Sequence, residues 1–378
     1  MNGTTQSTPL TRQPWSVRMT DSTMARFPAL ADEWNYQWGL VLKGIEQVWR
    51  ATGDGKYFTY IQSNIDRFVQ PDGTIRGYRL EEYNVDRLNT GKVLFNLYEK
   101  TGDEKYKAAL DLMRRQLDTH PRTNSGGFWH KQIYPYQMWL DGIYMADAFY
   151  AQYEHAFALR PTSFALRPFD DIAHQIILVE QHTRDPQTGL LYHAWDESQQ
   201  QRWANPETGC SAYFWGRAIG WYVMAIVDVL DFMPRDHSRR DEIIAILNRT
   251  IAALVRVQDA DTGVWYQLLD QGTRAGNYLE SSASCMFVYA IVKGVHNDYL
   301  PRELLPVAQR AYNGIIEQFV EVDCEGQVHL TKTCRGAGLG GTPYRDGSYE
   351  YYIGEPIVTD NHHGVGAFIL ASSEIEQL

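Results

Sequence analysis

Thr52-Gly53-Asp54-Gly55-Lys56-Tyr57 returns 49 residues later as Thr101-Gly102-Asp103-Glu104-Lys105-Tyr106. In each copy the glycine suits the left-handed position that closes a helix, and the aspartate caps the start of the next one. The motif reads as the tight corner of an antiparallel helix pair. The flanking sequence agrees. Tyr106, Ala109, Leu110, Met113 and Leu117 line one helical face, as do Ile243, Ile244, Leu247, Ile251, Leu254 and Val255. Gly220 to Met233 is apolar apart from Asp228 and Asp231, the pattern of a buried inner helix. A second punctuation recurs at Asp72-Gly73, Ser125-Gly126-Gly127, Asp185 to Gly189 and Asp259 to Gly263. Short aromatic or β-branched runs follow it, such as Leu190-Leu191-Tyr192-His193 and Val264-Trp265-Tyr266, and these read as strands or extended loops at one end of the molecule.

Helix pairs of this kind bury their faces only by stacking side by side. A closed ring of about six pairs fits the length and removes the exposed ends of an open solenoid. The expectation is an all-α toroid with two concentric helical layers and short strands in the loops of one rim. Residues 1–25 are polar and read as a flexible N-terminal tail, and 26–378 as one barrel domain. Pro161 to Pro168 reads as a crossover between pairs. The start of the chain has no apolar leader and no run of about 18 apolar residues exists, so the expected setting is cytoplasmic, without a membrane span.

Thirty-five Lys and Arg against 46 Asp and Glu leave a net charge of −11, which disfavours nucleic acid and anionic membranes as partners. One buried arginine can still bind a small anion. Eleven Trp and 24 Tyr suit a cleft that stacks sugar rings, and equally the core of a large helical barrel. Cys210, Cys285, Cys324 and Cys334 show no zinc-type spacing and are expected as free buried thiols, although Cys324 and Cys334 are close enough in sequence to bridge. No metal-binding spacing exists, and the adjacent His362 and His363 would point apart, so no metal is expected.

Asp141, ahead of Gly142-Ile143-Tyr144-Met145-Ala146, is either a helix cap or a desolvated general acid. Asp147, off the same face, reads as solvated or capping. Asp86, between Val85 and Leu88, is a second site carboxylate or another cap. His193 ends a short extended run and is structural or functional. Arg217 stands between Trp215 and Trp221 and needs an anionic partner, either Asp or Glu or a substrate carboxylate. The glycine-rich stretch Gly336 to Gly341 lacks the features of a phosphate loop and reads as a rim loop.

Gln137-Met138-Trp139-Leu140-Asp141-Gly142, Trp195-Asp196-Glu197-Ser198, Phe214-Trp215-Gly216-Arg217-Ala218-Ile219-Gly220-Trp221 and Arg345-Asp346-Gly347-Ser348-Tyr349-Glu350-Tyr351-Tyr352 together resemble glycoside hydrolase family 105, the unsaturated rhamnogalacturonyl hydrolases. The resemblance runs from about Trp34 to the C-terminus and implies an (α/α)6 barrel. It implies a substrate left by pectin or rhamnogalacturonan lyases, with a C4=C5 double bond in its terminal uronic acid, hydrated without metal or cofactor. Asp141 matches the general acid/base, Asp86 the supporting carboxylate and His193 a site histidine. Arg217 and Trp221 match binding positions, and Tyr36, His130, Lys131 and Trp139 fall where the family lines its pocket. The chain departs from the family at Asp360-Asn361-His362-His363-Gly364, where a Lys-Gly pairing is expected. The implied partner is a small anionic oligosaccharide, the protein itself a monomer or weak homo-oligomer. Three other readings stay open: a family 88 type glucuronyl hydrolase acting on glycosaminoglycan fragments, a sugar epimerase or isomerase on the same toroid that depends on histidines, and a non-catalytic sugar-binding toroid indifferent to Asp141.

Overall fold

Both copies of the repeated corner fold as their chemistry dictates. Gly53 and Gly102 take φ of 69° and 65°, each donating its N–H to the carbonyl four residues back. Asp54 and Asp103 accept from the backbone N–H of Lys56 and Lys105 at 3.0 and 3.1 Å. The computed structural model describes residues 13–29, 32–157 and 168–378. Most of the expected crossover at Pro161 to Pro168 lies outside the described residues.

The helices are, in order, α1 (Trp15–Arg26), α2 (Tyr36–Thr52), α3 (Gly55–Ile65), α4 (Leu94–Thr101, entered through a 3-10 stretch, Val85–Val93) and α5 (Glu104–Thr119). Next α6 (Leu140–Gly142) runs through a π-helical turn, Ile143–Asp147, into α7 (Ala148–Phe157). Then come α8 (Pro168–Thr183), α9 (Gly216–Leu230), α10 (Arg240–Arg256), α11 (Ser281–His296), α12 (Leu305–Phe319), the short α13 (Tyr349–Gly354) and α14 (His362–Ile375). Six inner elements touch in a closed cycle: α2, the 3-10 entry to α4, the π-helical turn between α6 and α7, α9, α11, α14 and back to α2. Every residue of α9 is buried, as the apolar run from Gly220 requires, and the outer α5 buries one stripe, Tyr106 to Leu117. The expected (α/α)6 barrel is the observed fold. Among the described residues no helix is long and apolar enough to cross a membrane.

The tail expected over residues 1–25 needs correction. Residues 1–12 lie outside the described residues, but α1 is a helix packed on α2 and α14, and it completes the outer layer. Met19 is fully buried, Ser16 donates its backbone N–H to Glu376 at 3.0 Å, and Ser22 accepts from Val328 at 2.9 Å. The segment looked polar because α1 buries small hydroxyl residues, Ser16, Thr20, Ser22 and Thr23, rather than a stripe of large apolar ones. Thr23 returns its own hydroxyl to the Met19 carbonyl at 2.7 Å.

Among the described residues three two-stranded antiparallel sheets sit in the loops: β1 (Gln137–Trp139) with β2 (Ala194–Asp196), β3 (Val320–Val322) with β4 (Val328–Leu330), and β5 (Thr333–Cys334) with β6 (Ile357–Val358). The first, in register Met138 to Trp195, ties two loops together just where Asp141 and His193 occur. All four cysteines are free. Cys324 is exposed rather than buried as expected, and the other three are buried.

Candidate active site

The inner helices begin at one end of the barrel, and each places a site residue at its first turn. Tyr36 opens α2, Asp86 the 3-10 entry to α4, Asp141 sits in α6, Arg217 in α9 and His363 in α14, while Glu280 caps α11. Helix N-termini carry partial positive charge and unsatisfied N–H groups, so their convergence favours an anionic ligand.

Asp86 does not cap its helix, because Asn84 does, accepting the Asp86 N–H at 3.0 Å. The buried Asp86 carboxylate lies 3.2 Å from His130 Nε2 and 2.7 Å from Lys131 Nζ. Burial opposes its charge, but Lys131 and His130 outweigh burial and hold the carboxyl well below the usual carboxylate range. His130 stacks on Trp139 at 4.5 Å, and Trp139 stacks on Tyr134 at 5.1 Å, so one aromatic column supports the pair.

Asp141 also caps nothing; no side-chain cap bond occurs at the start of α6. The β1–β2 sheet sets its neighbour, since Leu140 donates to the His193 carbonyl at 3.1 Å. His193 Nε2 then stands 3.3 Å from Asp141 Oδ2. The imidazole is fully buried, and burial pushes its pKa down despite Asp141. Its Nδ1 meets the Tyr352 hydroxyl at 2.7 Å. Burial holds the Tyr352 phenol un-ionised, so it has a proton to donate to Nδ1, the arrangement that leaves an Nε2–H on the side of Asp141.

Arg217 is buried, with Nη1 bonded to Ser282 Oγ at 3.2 Å and the Cys334 carbonyl at 2.6 Å, and 3.9 Å from Glu280. Its guanidinium lies over Trp215 at 4.6 Å. The protein partner among the two expected, a glutamate, is therefore present, and Arg217 still interacts electrostatically with Tyr36 and Asp141. Trp221 lies fully buried against Tyr144 at 4.8 Å and Tyr36 at 6.3 Å. The Tyr36 hydroxyl bonds His363 Nε2 at 2.8 Å. Burial, first, then Asp86 and Asp141 keep that phenol protonated.

The nine residues singled out in the sequence thus fall into two linked clusters: Asp86 with His130, Lys131 and Trp139, and Asp141 with His193, while Tyr36, Arg217 and Trp221 line the helix starts between them. Sequence reasoning passed over Tyr352, Glu280 and His363. Tyr352 lay inside a quoted motif. His363 was set aside as half of an adjacent pair pointing away from its neighbour. The two rings do part: His363 turns to Tyr36, and His362 stacks on Trp38 at 3.6 Å. Asp147 is not solvated, being 1% exposed. Among the described residues no cluster has the makings of a metal site.

Known proteins resemble the chain over most of its length. The family model described as Glycosyl Hydrolase Family 88 matches residues 15–378. A solved glycoside hydrolase from family 105 of Clostridium acetobutylicum ATCC 824 is 50% identical, with a TM-score of 0.94 over 97% of this chain and 100% of that one. Protein Atu3128 of Agrobacterium fabrum is 41% identical over 192 residues, 49% of this chain and 82% of its own. The unsaturated rhamnogalacturonyl hydrolase YesR of Bacillus subtilis is 26% identical over 282 residues, 72% of this chain and 75% of its own.

Proposed function

Because the chain belongs to the glycoside hydrolases of family 105, within the reach of the Glycosyl Hydrolase Family 88 model, we propose that it hydrates the C4=C5 double bond of an unsaturated galacturonyl-rhamnose oligosaccharide. The observation that carries this reading is the pairing of Asp141 with His193 beside a second carboxylate, Asp86, that its neighbours keep ionised. The likeness to YesR supports the rhamnogalacturonyl substrate.

In this mechanism Asp141 protonates C4 of the vinyl ether. Positive charge spreads over C5 and the ring oxygen, where the Asp86 carboxylate stabilises it. Water then adds to C5 and returns its proton to the Asp141 carboxylate, with the His193 Nε2–H steadying that carboxylate between steps. The resulting C5 hemiketal opens by breaking its bond to the ring oxygen, giving a C5 ketone and a hemiacetal at C1, and collapse of that hemiacetal to an aldehyde releases the leaving sugar and leaves a keto-uronate. Atoms balance with one water consumed. Arg217, Lys131 and the six helix starts supply positive charge for the uronate, Tyr36 and Trp221 supply a wall, and Trp139 holds His130.

The test is ultraviolet absorbance of an unsaturated galacturonyl-rhamnose disaccharide, whose conjugated bond absorbs until hydrated. Bleaching by the wild type supports the reading. No bleaching, with an unsaturated glycosaminoglycan disaccharide bleached instead, would reassign the substrate to a glucuronyl hydrolase type.

A further inference from the structure

Beneath the Asp86 cluster lies a small cavity lined by Val85, Trp129, His130, Gly142, Asp147 and Gln175 among others. About 10 Å³ of it is open to a water-sized sphere, close to the room one water needs. Three buried polar atoms on its lining residues have no partner: His130 Nδ1, Trp129 Nε1 and Asp147 Oδ1. Gln175 is already satisfied, accepting from Phe128 N at 2.7 Å and donating to the Gly126 carbonyl and to Asp171, each at 3.1 Å. Gly142 opens the space next to His130: a Cβ there would lie 3.1 Å from Nδ1. Orphaned polar atoms of this kind are uncommon in native interiors, and three around one cavity call for a shared partner.

We propose that this cavity holds one ordered water bridging Trp129, His130 and Asp147, and that Asp147 is through it a positioning residue for the catalytic Asp86. The hydrogen-bond roles close without conflict. His130 turns its Nε2–H to the Asp86 carboxylate, so Nδ1 is an acceptor. The water accepts from the Trp129 indole N–H and donates to His130 Nδ1 and Asp147 Oδ1, three bonds, the usual number for a buried water. Burial raises the Asp147 carboxyl well above its ordinary value, Asp171 adding to this and Arg122 opposing it, so the group enters as a neutral acid. The bridge fixes the tautomer and angle of His130, and so the hydrogen bond that helps keep Asp86 ionised. The other groups that interact with Asp86 are Lys131 from the same loop, Tyr36 from α2 and His363 from α14.

The activity arm of the test rests on the hydration reading, and the diffraction arm does not. A high-resolution crystal structure should show one density peak within hydrogen-bond reach of all three atoms, and a cavity without that peak overturns the proposal even if the enzyme bleaches the disaccharide. In Asp147→Asn the side-chain oxygen acceptor survives and the acid limb of kcat/KM should stay in place. In Asp147→Leu it is lost, and the limb should move up by about one pH unit with KM little changed. Gly142→Ala guards against misfolding of the leucine variant. Residue 142 has φ −58° and ψ −32°, which alanine adopts freely, and its methyl takes the place beside Nδ1, so the same upward shift is expected. A folded Gly142→Ala or Asp147→Leu enzyme with the wild-type acid limb would refute the positioning role.

Discussion

Lys131→Met tests the electrostatics of the site where they are sharpest. Lys131 Nζ lies 2.7 Å from Asp86 Oδ2, with side chains 24% and 11% exposed. At that separation and an effective dielectric constant of about 20, the bare attraction is about 6 kcal/mol. Desolvation of both groups cancels much of this, and a hydrogen bond to a charged partner nets about 1.5–3 kcal/mol. At about 1.4 kcal/mol per pKa unit, losing Lys131 should raise Asp86 by about one to two units. The sign follows from the depressed starting value. Asp86 must be ionised to stabilise positive charge, so the wild-type acid limb lies below the usual carboxylate range. In Lys131→Met it should climb by that amount, held from going further by His130 at 3.2 Å. The assay is initial-rate bleaching of the unsaturated disaccharide from about pH 2 to 8, in exposures short enough to precede acid unfolding, with Lys131→Arg as the charge-keeping control. An acid limb that stays put while KM alone rises would refute the reasoning and make Lys131 a substrate contact only.

Asp141→Asn should lower kcat by about 10²- to 10⁴-fold with an unchanged melting temperature, because Asp141 caps no helix; near-wild-type turnover would remove it from the chemistry. Deleting residues 1–26 should lower the melting temperature, since burial of Met19 alone is worth about 1.5–3 kcal/mol, and a melting curve identical to that of the full chain would restore the loose tail. Asp147→Asn should stabilise the protein increasingly as pH rises. A carboxyl whose folded pKa is raised lends stability that is full below its unfolded value of about 3.9 and declines as pH climbs toward the folded value. Equal melting-temperature differences at about pH 4 and pH 7 would show Asp147 to be ionised in the fold.

The parts of this protein legible in its sequence are those set by local chemistry. A glycine followed by an aspartate fixes a helix corner wherever it occurs, and Gly53 and Gly102 obey. An apolar run fixes a buried helix, and α9 obeys. The aspartates Asp86 and Asp141 stood out because their surroundings are apolar, though only the structure shows that neither is a cap. What stayed hidden depends on partners far apart in the chain. Tyr352 meets His193 across 159 residues, and Tyr36 meets His363 across 327; no spacing rule links such positions. Asp147 stands off the Asp141 face, as its spacing says, but α8 packs over the π-helical turn there, so the residue is enclosed rather than wet. The small hydroxyl residues of α1 gave no apolar stripe to read, and a barrel helix passed for a tail.

The direction of the inner helices explains how a chain of net charge −11 presents a site suited to an anion. Within the site, with Asp141 serving as the acid, the carboxylates of Asp86 and Glu280 match the cations of Lys131 and Arg217 two to two, so the side chains alone give little net pull on a uronate. Six helix starts face the same space. At about 0.3–1 kcal/mol each they supply about 2–6 kcal/mol of attraction for negative charge. The same field disfavours protonated imidazole, in keeping with His193 and His363, whose pKa values burial already lowers. At the opposite end the helices finish, and there Lys293 pairs with Asp228 at 2.6 Å and Asp231 at 2.7 Å, and Lys43 with Glu46 at 2.8 Å. Cations complement helix C-termini as anions complement N-termini. A surface rich in Asp and Glu leaves the field inside the mouth of the site largely untouched, because exposed charges farther than about 10 Å away are screened by salt.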